Sequence, residues 1–553
     1  MTDEIFDTAK LRKLDTALLA ELAQNNSRPQ STMFQNQTVA TLAHPTYTPD
    51  QVATIEALLR KNGTFTIPIV NSHTVSIDGR VVPVSIVNAT ETRGSYHGEM
   101  SYMIYLRDQI QVASAYMQLF LHDPDANSDK GVYARKLLIS ALHLMSTPAQ
   151  LARFDRVITM GDKAGQEDWP HISLFTNDLL AEKPNGWRNK QDTFQMLAYA
   201  TLEAIEQNFL QTSDLLASHK QFLAKIVPLL MAIHFPYYES SGSWEEIAAR
   251  RTSVTAIETA LLVKMRSLIE TLPFLYNHSD AAAIDNLIHD GLFTIGKHLP
   301  NESPDYDQTS IQFRQADAAL AYVLLYDIVP LLVRYQVPIT TRQRLMSEQQ
   351  IETLILDQLE TLNDPLTGGI ARYHEDSYQR VNFHTNEVQH IIRSIKQQVT
   401  NEAKITNTPI DINKKQQLRH ELTPNGRLAA WTHPLGQIAS WAALKSIQAS
   451  NQDETQRYIN ISTQYVNRLL RLVTGKESFN TALTDEGVYA IATVPAFRLP
   501  EAYITYELEN GTQIVVASPH TPLHWSNAMA EISIHLLYLA LSSNGTHNST
   551  KIS

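Results

Sequence analysis

The sequence has 553 residues, and its 57 acidic and 45 basic side chains give a formal net charge of −12. This acidic balance, with the basic residues scattered along the chain, disfavours binding to nucleic acids or anionic membranes. The chain contains no cysteine, which excludes disulfides, thiolate metal sites and a cysteine nucleophile. The first residues lack a signal-peptide pattern, and no apolar run reaches the roughly 18 residues that cross a bilayer. The sequence therefore predicts a cytoplasmic protein, with export by a route without a signal peptide left open.

The first 98 residues are predicted to form a small N-terminal segment. A helix is expected over residues 3–23, and the Thr-Pro pair at 48–49 has the cap and first-turn preferences that begin a second helix. Residues 64–87 are rich in Thr, Val and Ile, and Asp78-Gly79 within them is a signal for a two-residue hairpin turn. The segment should therefore contain a helix pair and a small β ribbon.

Residues 99–553 are predicted to form one large, helical domain. From about residue 100, apolar residues recur with the 3.6-residue period of amphipathic helices, and no low-complexity linker divides the chain. Consecutive helices joined by loops of uneven length are typical of a closed ring of helix pairs. The number of predicted helices exceeds that of a four-helix bundle. The sequence thus predicts an all-α protein. Helices are expected near residues 100–122, 130–145, 189–210, 213–233, 244–270, 278–298, 312–333, 341–362, 383–398, 427–449, 453–474 and 523–542. The longer loops are expected at 156–188, 234–243, 363–382 and 475–522.

Residues 242–246, Gly-Ser-Trp-Glu-Glu, stand where a loop is expected to meet the next helix. In one interpretation Ser243 caps that helix, and the acidic pair favours the positive end of its dipole. In the other, the ring of Trp244 helps to keep the carboxyl of Glu245 protonated, as a general acid requires. Hydrolysis of a sugar acetal also needs a second, ionised carboxylate. Glu501, in the run Leu-Pro-Glu-Ala-Tyr, is the candidate.

Several other segments combine arginine, acidic and aromatic side chains. Arg107 and Asp108 follow an aromatic-rich run, residues 372–378 read Arg-Tyr-His-Glu-Asp-Ser-Tyr, and Trp525 lies near the start of the last predicted helix. Sugars present hydroxyl groups to Arg and Asp and present C–H faces to aromatic rings, so such a mixture suits a carbohydrate pocket. The structural alternative is that Arg107 and Asp108 form a local ion pair and that the tryptophans belong to the core.

These segments resemble the glucoamylase family, the exo-acting glucan hydrolases built on an (α/α)6 barrel. Seven blocks are similar to the family's motifs, in the family's order, and they span residues 100–540. The resemblance implies an (α/α)6 barrel over residues 99–553, preceded by the short N-terminal segment. The blocks are Tyr105-Leu106-Arg107-Asp108, Trp187 through Asp192, Ser243-Trp244-Glu245-Glu246, Ala316-Asp317-Ala318, Ala371-Arg372-Tyr373-His374-Glu375-Asp376-Ser377-Tyr378, Leu499-Pro500-Glu501-Ala502-Tyr503 and Leu523-His524-Trp525-Ser526.

The resemblance also implies roles for matching residues. Glu245 would be the general acid that protonates the glycosidic oxygen. Glu501 would be the base that activates water from the opposite face of the sugar, which gives inversion. Substrate binding would involve Tyr105, Arg107, Asp108, Trp187, Trp244, Glu246, Arg372, Tyr503 and Trp525.

The chain departs from the family pattern at several positions. Ser101 stands where the family usually has a tyrosine near the sugar ring oxygen, and Ala502 stands where a glutamine follows the base. Ala248 and Ala249 replace the Asn-Gly that follows the acid pair. These departures leave the proposed acid and base in place and concern the subsites and the preferred linkage.

The predicted function is release of β-D-glucose from the non-reducing ends of α-1,4-glucans, such as starch, glycogen and malto-oligosaccharides. Two alternatives stay open: a trehalase or isomalto-oligosaccharide glucosidase on the same fold, and a non-catalytic glucan-binding or regulatory protein. The non-catalytic alternative would be expected to lose one catalytic carboxylate, and both are present. The sequence predicts no cofactor, no metal requirement, a monomer, and an α-glucan as the partner, with neither nucleic acid nor membrane.

Overall fold

The computed structural model is mostly helical, with a few short strands, over the residues that it describes. The protein therefore belongs to the all-α class, as the sequence predicts. The described residues are 34–90, 103–165, 168–175, 191–244, 247–275, 281–339, 344–376, 398, 401–402, 405–406, 414, 418, 428–476, 478–483, 489–507, 513–518 and 520–549.

The α-helices of the described ranges vary from one turn to seven. In chain order they are α1 (Gln37–Ala40), α2 (Pro49–Lys61), α3 (Leu106–His122), α4 (Ser128–Met145), α5 (Pro148–Met160), α6 (Gln191–Glu206), α7 (Ala217–Ala224), α8 (Ile226–Ala232), α9 (Thr252–Ser267), α10 (Ala281–His298), α11 (Ala321–Leu325), α12 (Ile328–Arg334), α13 (Glu348–Glu360), α14 (His433–Gln448), α15 (Gln452–Arg471) and α16 (His524–Ser549).

The strands are short, and most have antiparallel neighbours. They are β1 (Val70–Ile77), β2 (Arg80–Ile86), β3 (Met103–Tyr105), β4 (Ser173–Phe175), β5 (Ala430–Trp431), β6 (Phe479–Leu483), β7 (Tyr489–Thr493), β8 (Ala502–Glu507) and β9 (Gln513–Ala517). β1 pairs with β2, β3 pairs with β4, and the others form a sheet in the order β5-β8-β9-β6-β7.

Helix α2 begins where the sequence predicts. The Thr48 hydroxyl accepts a hydrogen bond from the N–H of Gln51, and the Gln51 side chain accepts one from the N–H of Thr48. This reciprocal cap satisfies two backbone donors that a helix start otherwise leaves without partners. The predicted β ribbon is also confirmed, because Asp78 and Gly79 connect β1 to β2 with positive φ angles of 48° and 71°. Such angles are those of the tight hairpin turn expected for an Asp-Gly pair.

Two predicted helices are each broken into two. The helix predicted over 213–233 ends at Ala224 and resumes as α8, and the helix predicted over 312–333 includes α11 and α12. Each second piece carries a proline at its third position, Pro228 or Pro330. A proline ring clashes with the carbonyl four residues earlier, and each preceding helix ends at or just before that point.

Three other predicted elements have outcomes of a different kind. The predicted loop 156–188 is wrong at its start, because α5 continues to Met160. The helix predicted over 3–23 lies outside the described residues. So does the helix predicted over 383–398, apart from residue 398.

The loop predicted over 475–522 is wrong, because this segment contributes four strands to a sheet. Antiparallel pairing sets Ile504 opposite Val516 and Thr505 opposite Val515. These β-branched side chains favour the pleated backbone, but each strand has only five or six residues. A search for helical periodicity does not detect strands this short, and their pairing depends on tertiary contacts.

The chain divides into two structural units. The first comprises Met1–Thr66, Thr90–Tyr102 and Leu362–Ser553, and the second comprises Ile67–Ala89 and Met103–Thr361. In the first unit α14 packs against α15 and α16, whereas in the second α3 packs against α4 and α9 packs against α6 and α10. The predicted ring of helix pairs and the predicted boundary at residue 99 stay predictions. No helix within the described ranges is both long and apolar enough to cross a membrane.

Candidate active site

The loop before α9 is closed by its own backbone. The N–H of Ser240 donates to the carbonyl of Ala249 over 2.9 Å, and the N–H of Ala249 donates to the carbonyl of Ser240 over 3.0 Å. The helix start predicted at residue 244, with Ser243 as its cap, is therefore wrong, since α9 begins at Thr252 and Ser243 lies in a turn of this 240–249 loop.

Arg251 holds the 240–249 loop from the end that leads into α9. Its Nε donates to the Ser240 carbonyl over 3.2 Å, and its Nη2 donates to the Ile247 carbonyl over 2.7 Å. Gly242 has a φ of 65°, and a Cβ added there would lie 2.3 Å from the Arg251 Cδ. Glycine tolerates both the left-handed backbone and this close approach. The loop conformation therefore depends on one buried arginine and one glycine.

Arg107, in the first turn of α3, holds the same loop from another direction. Its guanidinium donates to the Ser243 carbonyl over 2.6 Å and to the Gly242 carbonyl over 3.4 Å. It also forms a buried ion pair with Asp192 of α6, with Nη2 and Oδ2 2.9 Å apart. Arg107 thus fixes the backbone that immediately precedes Trp244. The contact with substrate expected for Arg107 stays a prediction.

The indole of Trp244 is fixed at its polar edge. Its Nε1–H donates to Oδ1 of Asp317 over 2.6 Å. Asp317 is fully buried, lies 3.2 Å from the Arg314 guanidinium, and accepts the N–H of Ala319 over 2.8 Å. Trp244 itself is half-buried. A stacking surface for a sugar needs an accessible ring, and that role of Trp244 stays a prediction.

A second buried carboxyl, that of Glu302, belongs to the same region. It accepts the N–H of Ser253 over 3.0 Å and the Ser253 hydroxyl over 2.5 Å, at the first turn of α9. Burial raises the pKa of Glu302, and the charge of Asp317 raises it further. Burial also raises the pKa of Asp317, while Arg314 opposes this. Arg251 lowers the pKa of both carboxyls, but only Asp317 also has Arg314 as a direct ionic partner, so the pKa of Glu302 is raised the more.

A small cavity adjoins the 240–249 loop, with Glu258 of α9 in its wall. The Glu258 carboxyl accepts the Gln195 amide over 3.3 Å, and burial, followed by the charge of Asp192, raises the pKa of Glu258. A neutral Glu258 adds no second negative charge near the Asp192 carboxylate that pairs with Arg107. The other lining residues are Ile233, Phe235, Pro236, Tyr238, Ser240, Arg251, Val254 and Thr255.

Glu501, the predicted base, lies in the first unit at the start of β8. It is 6% exposed, and its Oε2 accepts the Ser518 hydroxyl over 3.2 Å. Its N–H donates to the His520 carbonyl over 3.0 Å, and its carbonyl accepts the N–H of Thr432 over 3.2 Å. The carboxylate therefore has a backbone fixed on both sides and a side chain oriented by a hydroxyl.

Aromatic rings belong to the same framework. Trp431 is the last residue of β5, which pairs with β8, and its ring meets the His433 ring edge-on at 5.7 Å. The His433 ring stacks on Trp525 at 4.0 Å with an interplanar angle of 25°. The Trp525 indole N–H is buried and has no hydrogen-bond partner among the described residues. All three side chains are buried, and the contact with a sugar expected for Trp525 stays a prediction.

Arg372 stands beside these aromatic rings. Its Nε and Nη2 donate to the two carboxylate oxygens of Asp376 over 2.8 and 2.6 Å, which is a bidentate pair. The guanidinium carbon lies 5.3 Å from the ring centre of Trp431. The ion pair and the ring together set the plane of the guanidinium. The predicted grip of Arg372 on the leaving-side glucose stays a prediction.

The remaining predicted site residues have different outcomes. Trp187, Glu245 and Glu246 lie outside the described residues. Tyr105 is half-buried at the end of β3, and Asp108 is buried in the first turn of α3.

Tyr503 needs a correction, because it is a core residue. It is fully buried, its hydroxyl donates to the Leu472 carbonyl over 2.7 Å, and its ring lies 4.8 Å from that of Phe34. A ring with no accessible surface and a satisfied hydroxyl is not placed to touch a substrate. The motif block indicates the residue type two positions after the base but does not reveal the direction in which its side chain is buried.

Sequence reasoning missed the partners that hold the motif residues. Asp192 and Asp317 both stand inside matching blocks, but nothing in those blocks indicates that they bond Arg107 and Trp244. Ser518, which orients Glu501, stands in no block at all. Their separations along the chain are too long for any local pattern to signal.

Metal ligation requires several His, Asp or Glu side chains that converge on one point. In the part of the chain that the structure describes, no group of three such side chains does so. His143 and His219 instead bond to each other, with Nδ1 and Nε2 2.9 Å apart.

No known family profile matches the chain, and no curated protein matches it. Similar solved structures include a variant glycosidase in complex with glucose, which is 13% identical, with a TM-score of 0.46 over 90% of this chain and 98% of that chain. A glucoamylase from Saccharomycopsis fibuligera is 13% identical, with a TM-score of 0.46 over 82% of this chain and 89% of that chain. A glucoamylase from Hormoconis resinae is 11% identical, with a TM-score of 0.46 over 88% and 73%. Such identities and TM-scores do not assign an activity to this chain.

Proposed function

We propose that the chain is a glycoside hydrolase that releases β-D-glucose from the non-reducing ends of α-1,4-glucans by a single displacement with inversion. The observation that carries the proposal is the setting of Glu501. This buried carboxylate is oriented by Ser518, in a framework that also holds Trp431 and Trp525. An ordered carboxylate in aromatic surroundings suits the base of a glycosidase, which must direct one water at a sugar carbon.

In the proposed reaction two carboxyl groups act at the same time. Glu245 gives its proton to the glycosidic oxygen while Glu501 takes a proton from the attacking water. The bond from the anomeric carbon to the leaving sugar breaks as the bond to water forms on the opposite face, so the configuration inverts. Because water must fit between Glu501 and the sugar, the two carboxyls should be roughly 6.5–9.5 Å apart.

The anchors of the 240–249 loop support the proposed acid. Arg107 and Arg251 bind carbonyls on both sides of position 245, and Asp317 binds the indole that precedes it. A group that transfers a proton must be held close to its productive position before the substrate arrives. Three independent anchors on the described residues that flank position 245 support this assignment.

The proposed substrate contacts follow the motif blocks. Glu246 and Arg372 hold the sugar on the leaving side, and Arg107 and Asp108 serve the glucose that is released. Tyr503 has no part in this site, because it belongs to the core. Aromatic surfaces come from Tyr105, Trp187, Trp244 and Trp525.

The test is the first product released from an α-linked substrate. Proton NMR recorded before mutarotation should show β-glucose from maltose. Glu501→Gln should lower kcat by about two to four powers of ten, because an amide cannot take a proton from the attacking water. Glu531→Gln is the matched control: Glu531 is a buried carboxylate of α16 that pairs with Arg60 over 3.0 Å, so its loss should lower stability and leave kcat unchanged.

Two outcomes would contradict the proposal. Release of α-glucose would exclude the single displacement, and no release from maltose, isomaltose, trehalose or glycogen would favour the non-catalytic glucan-binding alternative. A preference for trehalose or isomaltose over maltose would keep the mechanism and change the substrate assignment.

A further inference from the structure

The Trp244 side chain, in the 240–249 loop, is hydrogen-bonded to a buried carboxylate, that of Asp317. The bond to Asp317 spans 73 positions of the chain and measures 2.6 Å. Asp317 does not depend on Trp244 for its own position, because Arg314 and the N–H of Ala319 also hold it. The indole is therefore attached to a group that is fixed elsewhere.

We propose that Asp317 is a positioning residue, whose carboxylate fixes the orientation of the Trp244 indole, the proposed aromatic surface that directly precedes Glu245 in the sequence. This inference rests on the proposed function, in which Glu245 is the acid. Asp317 touches neither substrate nor reacting atoms; it acts through Trp244.

The charges around Asp317 fit this role. Arg314 is the direct ionic partner of Asp317. Burial and the charge of Asp317 raise the pKa of Glu302, so the Asp317 carboxylate is the negative charge that Arg314 compensates. A charged acceptor makes a stronger hydrogen bond to an indole N–H than a neutral one does. Asp317 is fully buried, so water competes little for its side of that bond.

The indole also differs from the other two anchors of the loop. Arg107 and Arg251 bind backbone carbonyls, which fixes the path of the chain but leaves side-chain rotation free. Asp317 fixes a side chain, and a wide ring limits the rotation of the residue that carries it. Loss of the Asp317 carboxylate should therefore leave the loop folded while Trp244 becomes free to turn.

The experiment compares Asp317→Ala with Asp317→Asn. The alanine variant removes the acceptor, and we expect kcat to fall by about ten- to a hundredfold, with KM changed by less than about threefold. The asparagine variant keeps an acceptor oxygen for the indole, and kcat should stay within about threefold of the wild type. Trp244→Phe, which keeps an aromatic ring but removes the N–H donor and part of the ring system, should be at least as slow as Asp317→Ala. The double variant Trp244→Phe/Asp317→Ala should be no slower than the slower single variant.

The matched control is Asp168, another buried carboxylate of the second unit. Its carboxylate pairs with Arg156 over 3.4 Å and accepts the N–H of Gly165 over 2.9 Å. None of the hydrogen bonds among the described residues joins it to an indole. Asp168→Ala should lower the melting temperature and leave kcat unchanged. If Asp317→Ala behaves in the same way, or if Asp317→Asn is as slow as Asp317→Ala, the positioning role is overturned. Additive effects in the double variant would overturn it as well.

A readout that needs no activity separates this inference from the proposed function. The fluorescence of Trp244 is obtained as the difference between each Asp317 form with and without Trp244→Phe. Acrylamide should quench that component more strongly in Asp317→Ala than in the wild type or in Asp317→Asn. Equal quenching in all three forms would show that the carboxylate does not fix the ring. Absence of hydrolysis together with the expected quenching pattern would reject only the proposed function.

Discussion

Tyr503 and Trp525 stand in two successive motif blocks, yet their surroundings differ. The Tyr503 hydroxyl has a backbone partner, Leu472, and its ring packs on Phe34. The Trp525 indole N–H has none among the described residues, although it is buried. A buried donor without a partner costs free energy unless a bound molecule satisfies it. Trp525 therefore keeps its place among the proposed substrate residues, and Tyr503 does not.

Replacing Tyr503 by phenylalanine tests this distinction. The change removes one buried hydrogen bond and leaves the Leu472 carbonyl without that donor, so the free energy of unfolding should fall by about 1–2 kcal/mol. The value of kcat/KM should stay within about twofold, since the ring touches no substrate. Urea unfolding and steady-state kinetics on the same preparation measure both quantities. A large loss of kcat/KM at unchanged stability would return Tyr503 to the binding site.

The 240–249 loop shows how distant anchors overrule a local helix signal. A Ser followed by an aromatic residue and two acids favours a helix start, and α9 does follow. The start is shifted to Thr252 because Arg251, Arg107 and the Ser240–Ala249 bridge hold the preceding backbone in another path. Local propensity amounts to a few tenths of a kcal/mol per residue, which buried charged hydrogen bonds exceed.

Gly242→Ala probes this loop, with Gly79→Ala as its matched control. Both glycines have positive φ angles, 65° and 71°, but a Cβ at Gly242 meets Arg251 at 2.3 Å while one at Gly79 meets nothing within 4 Å. Gly79→Ala should cost about 1–2 kcal/mol of stability, from backbone strain alone, and leave kcat unchanged. Gly242→Ala should cost more and should also lower kcat, because Arg251 must move. Equal stability losses, or an unchanged kcat in Gly242→Ala, would show that the clash does not disturb the loop.

Two buried clusters in the second unit give the stability of the molecule opposite dependences on pH. His219 Nδ1 accepts the N–H of Leu216, so its Nε2 carries the proton that is donated to His143. Burial, followed by the charge of His143, lowers the pKa of His219 to about 3, although Asp78 opposes this, and burial also lowers the pKa of His143. Glu302 behaves in the opposite sense, since burial and Asp317 raise its pKa.

The sign of each effect follows from proton binding. Between about pH 6.5 and pH 3 the unfolded histidines bind protons that the folded pair does not, so the contribution of the pair is fully present above pH 6.5 and is lost as the pH falls. The stabilisation from protonated Glu302 is present at low pH and is lost as the pH rises above its ordinary value of 4.5. Urea unfolding from pH 4 to pH 9 should therefore show a shallower acid-side loss in His219→Gln or His143→Asn. In the Glu302→Gln control, the free energy of unfolding should instead fall less at alkaline pH. An unaltered dependence of this free energy on pH in all three variants would contradict the assignments.

Helical periods, the Thr48 cap and the Asp78-Gly79 turn follow from the sequence, because each depends on contacts between residues only a few positions apart. The motif blocks likewise indicate which residue types form the site, including Glu501 and Trp244. The sequence does not indicate the partners of these residues. Arg107 is bonded to Asp192, 85 positions away, and Trp244 to Asp317, 73 positions away. The burial of Tyr503 in the core and the pairing of strands β6 to β9 also depend on contacts between distant segments of the chain. Such contacts depend on how whole elements pack, and no local pattern of charge or hydrophobicity selects one distant carboxylate over another.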